Sequence, residues 1–519
     1  MNRRLLLVLC VVLAPPAGWA RWIEVESDSF VFTGEVEEED ARQIVTDLEI
    51  YRQTILNLAG IRGSPEVRKV HVFGMRKIGD VRKLTGLKGI AGAYVNGNDY
   101  PVFVGVAGWT DDAVRSIMFH EYAHHVLNAH TIEYFPRWYD EGFAEYLASF
   151  KVQDDIISIG VPSSQFGGIL NAPRWTDIDI VLNSITAYPY EWGGSWRDNR
   201  RAVFFYGMSW LAVHYLQNTP ELNRGLSDYL ALLSQGTDPV AAFETGFGIT
   251  QEEFYDRLRL YWRQDRFPFV QFRITEAFEL PSITVREVTK AKAEIALAGP
   301  RALFISADSD KAAERAGVRR DLQALVEKHG PSSSLYNALM LVELKDENYD
   351  GAVAIGRKAL AAAPDDPLAI QTLADALYHR HLDSGSKDTS DVPEARALFG
   401  RQLELEPTNP TANSHYPVTF IFDHTPPDKK ALEAVAFNVR YRRNPGYFDS
   451  YLENAEVLAM AGLADRACVL LSRVDLWIRA SDGEATTGEE QEGGERRSES
   501  RLERLDRLQG TLEGRCPAE

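Results

Sequence analysis

Cysteine is scarce in this chain, with three among 519 residues. A protein of this size therefore depends on its hydrophobic core and not on a framework of disulfides. Cys10 lies in an N-terminal targeting segment, and Leu9 stands where a lipoprotein signal needs a small residue. The sequence leaves two alternatives for Cys468 and Cys516: one bridge from the last helical region to the tail, or two unpaired thiols.

Clustered basic charge is also lacking. The chain has 56 Lys and Arg against 75 Asp and Glu, which gives a net charge of −19. Phosphates of a nucleic acid are held by clustered Lys and Arg, so no nucleic-acid partner is expected. No Gly-rich phosphate loop and no Ser-His-Asp order stand out. Nucleotide chemistry and serine-hydrolase chemistry therefore have no support.

Long apolar runs are absent beyond the N-terminus. Residues 1–20 carry a basic start at Arg3 and Arg4, an apolar run at Leu5–Leu13 and a small-x-small site at Gly18–Ala20. This pattern predicts a signal peptide. The alternative is a membrane anchor, but about 20 apolar residues are needed to span a bilayer and this run stops at Pro15–Pro16. We expect export to a bacterial periplasm or beyond, with no stable membrane span after cleavage.

The first 270 residues alternate between strand-like and helix-like patterns. Strands are predicted at 22–25, 30–32, 67–73 and 100–106, and a helix at 40–58. A helix over 204–216 is apolar on nearly every side and should be buried. We therefore predict an α+β domain over 21–270. Residues 271–307 are predicted to form a strand-rich connector.

From about residue 308 to 475 the chain is rich in Ala and Leu and is punctuated by prolines. Pro331, Pro364, Pro407 and Pro445 lie 33, 43 and 38 residues apart. The unit beginning at Tyr336 resembles the tetratricopeptide pattern, and the next unit repeats it if residues 383–391 form an inserted loop. An irregular helical bundle is the alternative. Residues 476–519 are predicted to be a charged, largely disordered tail, in which Leu502–Leu512 could form one short amphipathic helix.

One segment has the H-E-x-x-H spacing of a metal-binding motif, namely His120-Glu121-Tyr122-Ala123-His124. On a helix, residues i and i+4 project from one face, so both imidazoles reach a single ion. Zinc prefers imidazole and carboxylate ligands, and a catalytic site uses three of them with the fourth position left for water. Glu121 follows His120 directly and would take a proton from that water. The motif therefore predicts a Zn²⁺ cofactor.

A second motif, Trp138-Tyr139-Asp140-Glu141-Gly142-Phe143-Ala144-Glu145-Tyr146, follows within one helix-turn-helix length. It offers Glu141 as the third ligand. Glu145 lies one helical turn further on the same face, where it can accept a hydrogen bond from the outer nitrogen of a ligand histidine.

Together the two motifs resemble those of the gluzincin metallopeptidases, the clan of thermolysin and aminopeptidase N, and most of all the peptidase-MA-like bacterial proteins with a signal peptide. The similarity covers roughly residues 20–265 and is specific at the two motifs. It implies that His120, His124 and Glu141 bind zinc. It also implies that Glu121 is the general base and that Glu145 supports a ligand. No upstream Gly-x-Met-Glu-Asn-like stretch is present, so aminopeptidase specificity is not implied.

Several other residues are weaker candidates for a role in the metal site. His125 points about 100° away from His124 on a helix and is interpreted as a packing or surface residue. Gluzincins commonly use a Tyr or His from a later helix to donate a hydrogen bond to the oxyanion, which makes Tyr206 the first candidate and His214 the second. The alternative for both is a satisfied polar group on a buried helix. Asp140 and Trp138 are interpreted as structural.

The sequence thus predicts an exported zinc metallopeptidase that acts on a protein or peptide substrate, with helical repeats that could bind a partner protein. One alternative is a vestigial, peptidase-like scaffold that acts through its repeats. Another is a zinc hydrolase acting on amide bonds outside proteins.

Overall fold

The computed structural model of the protein describes the following residues: 21–58, 69–87, 90–96, 101–106, 112–130, 135–162, 164–183, 196–235, 237–264, 266–274, 278, 282–385, 387–441, 448–485 and 500–516. The predicted signal peptide and the stretch 486–499 of the predicted disordered tail lie outside them. The fold is mixed α/β, with an N-terminal sheet and a helical C-terminal region.

The strands of the described chain, in order, are β1 (Arg21–Glu26), β2 (Phe30–Val36), β3 (Val70–Met75), β4 (Gly92–Asn96), β5 (Pro101–Val106), β6 (Lys151–Gln153), β7 (Ile156–Ile159), β8 (Val270–Arg273) and β9 (Thr284–Glu287). Six of them form one sheet in the order β4-β5-β3-β2-β1-β9, and β6-β7-β8 form a small second sheet. In the large sheet β2, β3 and β5 run parallel to one another, while β1, β4 and β9 pair antiparallel to their neighbours.

The helices of the N-terminal region are α1 (Glu38–Leu58), α2 (Ile78–Thr85), α3 (Asp112–His130), α4 (Arg137–Ala148), α5 (Ser164–Leu170), α6 (Ile178–Leu182), α7 (Trp196–Gln217), α8 (Pro220–Asn223), α9 (Leu226–Ser234), α10 (Pro239–Phe247) and α11 (Gln251–Trp262). The side chains of the sheet alternate between its two faces, as period-two strands require. Val72 and Phe103 join the core under α1 and α3. Phe73 and Val104 join a second core under α2.

The predicted helix over 204–216 lies within α7 and is buried, with Leu211, Ala212, Val213 and Leu216 fully inaccessible. The predicted helix over 40–58 and the four predicted strands are also present. Strand β4 and helix α2 were not predicted.

The connector differs from its sequence-based prediction. It supplies β8 and β9, but residues expected to continue as strand form α12 (Lys290–Ala296) and α13 (Ala298–Phe304). Ala-rich helix-forming sequence over these residues outweighs the apolar pattern that suggested strands. The connector also belongs to the N-terminal body, because β9 pairs with β1 and the side chains of Leu297, Leu303 and Phe304 pack on the core under α2.

The C-terminal region, after a 3-10 helix at Ser309–Lys311, consists of α14 (Ala312–His329), α15 (Ser333–Lys345), α16 (Tyr349–Ala362), α17 (Pro367–Asp383), α18 (Val392–Leu405), α19 (Pro410–Phe422), α20 (Lys429–Tyr441), α21 (Phe448–Met460), α22 (Ala464–Ala485) and α23 (Arg501–Thr511). From α15 to α22, consecutive helices pack against each other in pairs. Among the described residues between Asp383 and Asp391, which form the predicted inserted loop, there is no helix or strand.

The tail is more ordered than predicted. Helix α22 runs across the expected boundary at 475, and α23 packs Leu505, Leu508 and Leu512 into a core shared with α21 and α22. This confirms the short amphipathic helix. Cys468 and Cys516 form a disulfide, with their Cα atoms 5.7 Å apart. Of the two alternatives for these cysteines, the bridge is therefore present.

Several helix contacts join the two regions. Helix α13 packs against both α2 and α15, and α20 lies against α3. In the part of the chain that the structure describes, no helix is both long and apolar enough to cross a membrane.

Candidate metal centre

Helix α3 is held firmly on its core side. Tyr51 of α1 donates a hydrogen bond from its hydroxyl to the carbonyl oxygen of Phe119, at 2.8 Å. Tyr122 packs on Phe30 of the sheet with ring centroids 4.9 Å apart. These contacts orient the opposite face of α3, which carries His120, toward α4.

Helix α4 is drawn close to α7 by a glycine. A Cβ atom added at Gly142 would lie 2.3 Å from the carbonyl oxygen of Ser209, so only glycine permits this approach. Trp138 anchors the same helix through a hydrogen bond from its indole N–H to the hydroxyl of Tyr229, at 3.2 Å. The Glu-Gly pair in the second motif therefore places Glu141 between α3 and α7.

His120, His124 and Glu141 meet in one cluster. The Nε2 atoms of His120 and His124 are 3.2 Å apart, and each lies 3.1 Å from Oε2 of Glu141. Donors around a tetrahedral zinc ion, with bonds of about 2.0–2.2 Å, are separated by about 3.3–3.6 Å. The spacing and the chemistry of this donor set therefore fit a divalent zinc ion.

The electrostatics of the cluster favour a cation. Burial opposes the charged form of His124, but the carboxylates of Asp140 and Glu141 outweigh it and hold the pKa of His124 well above its ordinary value. Burial alone would raise the pKa of Glu141, which is 2% exposed, yet the two histidines hold it well below the ordinary value. The cluster thus stabilises positive charge at the imidazole nitrogens, where a metal ion would replace the protons.

His120 and His124 each have a carboxylate near Nδ1, the ring nitrogen that does not face Glu141. Oε1 of Glu145 lies 3.4 Å from Nδ1 of His120, near enough for an ion pair but without the hydrogen bond that was predicted. Oδ1 of Asp140 lies 3.0 Å from Nδ1 of His124. Sequence reasoning missed this role for Asp140. The available signal was an acidic residue directly before the candidate ligand Glu141.

Glu121 follows His120 on α3 and is partly exposed. Burial and then the charge of Glu121 raise the pKa of Tyr94 on β4. Burial and the charge of Glu141, with a smaller contribution from Glu121, raise the pKa of Tyr206 on α7. The charge of Glu121 is therefore felt by tyrosines on both β4 and α7.

Tyr206 and His214, both on α7, have different surroundings. The ring of Tyr206 stands edge-on to His120, with centroids 6.2 Å apart, so its hydroxyl belongs to the surroundings of the cluster. His214 is fully buried, with Nε2 3.0 Å from the carbonyl oxygen of Gly160 and Nδ1 2.9 Å from the hydroxyl of Tyr261. His214 is thus a satisfied polar group in the core.

His125 does not belong to the cluster. Its ring stacks on Tyr122 with centroids 5.7 Å apart, and Nδ1 lies 3.5 Å from the hydroxyl of Tyr94. The packing role predicted for it agrees with these contacts.

No protein-family model matches the chain, and a comparison with curated proteins finds no relative.

Proposed function

We propose that this protein is an exported zinc-dependent metallopeptidase of the gluzincin type. The observation that carries the proposal is the triangle of His120 Nε2, His124 Nε2 and Glu141 Oε2, with edges of 3.1 to 3.2 Å, on a helix in which Glu121 directly follows His120. Two imidazoles and one carboxylate are the ligand set of catalytic zinc sites that keep a fourth position open.

The chemistry follows from the residues around that triangle. When bound, a zinc ion would polarise the substrate carbonyl and lower the pKa of a water molecule. Glu121 accepts the proton of that water and passes it to the leaving amine. Tyr206 keeps its proton, because burial and the nearby carboxylates raise its pKa, and its hydroxyl donates a hydrogen bond to the oxyanion.

The sheet favours a peptide as substrate. Strand β4 is an edge strand, its outer side is paired with no described strand, and it lies against α3. An extended peptide can add to such an edge through main-chain hydrogen bonds. This arrangement would bring a scissile bond along the helix that carries His120 and Glu121. It also favours peptide hydrolysis over chemistry on amide bonds outside proteins.

The helical region is proposed to consist of tetratricopeptide-like repeats, formed by the pairs α15/α16, α17/α18, α19/α20 and α21/α22. Stacked helix pairs create extended concave surfaces that present substrate or bind a partner protein. The Cys468–Cys516 disulfide supports export, since disulfides persist in oxidising compartments.

The substitution Glu121→Gln tests the function. The amide keeps the shape of the side chain but cannot accept a proton, so zinc content should stay at about one ion per chain while peptide hydrolysis falls by at least ~10²-fold. Glu252→Gln, an exposed change on α11, is the control and should alter neither quantity. Zinc content is measured on dialysed protein and cleavage on a diverse peptide library.

Two results would contradict the proposal. Cleavage that survives Glu121→Gln would place the activity elsewhere. Zinc-loaded protein that cleaves no peptide, while its intact chain still binds a partner protein, would favour the vestigial scaffold.

A further inference from the structure

Arg137 is the first residue of α4 and lies one helical turn before Glu141. Its Nη2 atom is 2.8 Å from Oε1 of Glu141, and its Nη1 atom is 3.7 Å from Oδ2 of Asp140. The guanidinium therefore faces Glu141, which belongs to the cluster, and Asp140, which lies behind His124. Neither motif had indicated a role for Arg137.

The two carboxylates divide their oxygens in the same way. Glu141 directs Oε2 to the imidazoles and Oε1 to Arg137. Asp140 directs Oδ1 to Nδ1 of His124 and Oδ2 toward Arg137. In each residue one carboxylate oxygen lies next to a histidine nitrogen and the other lies toward the guanidinium of Arg137.

This arrangement is unlike an ordinary surface ion pair between residues four apart on a helix. Such pairs are solvated at both ends and contribute little. Here the side chain of Glu141 is 3% exposed while that of Arg137 is 39% exposed. A buried carboxylate is therefore paired with a partly exposed guanidinium. A hydrogen bond between two charged groups is both short and strong when one of them is desolvated.

We propose that Arg137 is a positioning residue that keeps Glu141 as a one-oxygen metal ligand; this inference rests on the proposed function. A carboxylate can bind a cation through one oxygen or through both. By occupying Oε1, Arg137 prevents the second oxygen from entering the coordination shell. The position that water and the substrate carbonyl need therefore stays open.

The shape of the guanidinium suits this task. Its planar fork presents several N–H donors in fixed directions, so one side chain can face Glu141 and Asp140 at once. The same contact to Asp140 orients the acid behind His124. Arg137 thus acts on two of the three proposed ligands without touching the metal position itself.

The test is to load Arg137→Ala with cobalt(II) in place of zinc, and to measure its visible absorption and its metal affinity by competition with a coloured chelator. A second ligand oxygen raises the coordination number, so the visible bands of the variant should be weaker and shifted relative to the unaltered protein. Zinc affinity should fall by about 10- to 100-fold, the usual effect of losing a group that orients a ligand. Added guanidinium chloride, at concentrations too low to unfold the protein, should restore the original cobalt spectrum.

Arg42→Ala is the matched control, because Arg42 makes the same contact across one helical turn, at 2.8 Å to Glu38, in an exposed position on α1. The control should leave spectrum and affinity unchanged. Thermal unfolding of the metal-free proteins checks that Arg137→Ala folds as the unaltered chain does.

Two results would overturn the inference, and they are distinguishable. If Arg137→Ala has the same cobalt spectrum and zinc affinity as the Arg42→Ala control, Arg137 does not position Glu141, and the proposed function stands. If the unaltered protein binds neither zinc nor cobalt, the proposed function fails, and the inference fails with it.

Discussion

Oδ1 of Asp140 lies 3.0 Å from Nδ1 of His124, on the opposite side of the imidazole ring from the nitrogen that faces Glu141. A carboxylate in this position accepts a hydrogen bond from the Nδ1–H group, which keeps the proton on Nδ1 and leaves the lone pair of Nε2 free for a metal ion. Asp140 therefore selects the tautomer of His124 that can act as a ligand, although it lies outside the donor triangle.

The substitution Asp140→Ala should weaken zinc binding by about 10- to 100-fold, because the ring of His124 loses its orientation and its basicity. Competition with a chelator measures the change. Asp256→Ala on the exposed face of α11 serves as the control. Equal zinc affinity in the two variants would show that the contact between Asp140 and His124 does not contribute to zinc binding.

Tyr206→Phe removes the hydroxyl and keeps the ring that stands against His120. If Tyr206 stabilises the oxyanion, kcat should fall by about 10²- to 10³-fold with zinc content unchanged. Tyr215→Phe, nine residues further along α7, should have little effect on kcat. A Tyr206→Phe variant with the kcat of the unaltered protein would remove Tyr206 from the mechanism.

The parts of the site that the sequence predicts are those fixed by local geometry. His120 and His124 share a helical face by spacing alone, and Glu145 follows Glu141 by one turn, so the relation of Glu145 to a ligand histidine was foreseeable. Asp140 and Arg137 acquire their roles only when α4 docks on α3. The position of α4 also depends on its close approach to α7, which the absence of a side chain at Gly142 permits and which no periodicity reveals.

The helices and strands that were predicted are likewise those whose local sequence pattern is sufficient to identify them. Helices α1 and α7 were predicted because their apolar patterns are long and regular. Strand β4 is short and borders residues with a polar, Gly-rich sequence, so its alternation was too brief to recognise. Helices α12 and α13 were mistaken for strands because a short apolar run is compatible with either structure, and their packing on α2 decides between them.

His214 should make the N-terminal region sensitive to acid. Burial disfavours the charged imidazolium and lowers the pKa of His214 to about 4, compared with 6.5 when the side chain is unperturbed. Between these values the unfolded chain binds a proton that the folded chain does not, so stability falls as the pH decreases from 6.5 toward 4. The contribution of this residue amounts to at most about 3 kcal/mol.

The substitution His214→Gln removes this titration. The variant should be less stable than the unaltered protein at pH 7.5, because the contacts with Gly160 and Tyr261 are disturbed, and the difference should shrink as the pH is lowered. Urea unfolding followed by tryptophan fluorescence measures it. A difference between His214→Gln and the unaltered protein that stays constant across this range would contradict the assignment.

Fragments of the chain test where the N-terminal body ends. A fragment of residues 21–308 keeps β9 and helices α12 and α13, and should fold and bind zinc. A fragment ending at residue 274 loses the strand that pairs with β1 and uncovers Leu84 of α2 and Phe73 beneath that helix. Its melting temperature should therefore be several degrees lower. Equal melting temperatures would show that the connector adds no stability to the sheet.

The bond between Cys468 and Cys516 encloses a covalent loop, with a sequence separation of 48 between its ends. A protease that cuts the chain once anywhere between these cysteines therefore releases no fragment, since both pieces remain joined through sulfur. Electrophoresis without a reducing agent would show a chain of unchanged mass, and only reduction would separate the pieces. A single cut in this segment therefore leaves both pieces covalently attached to each other.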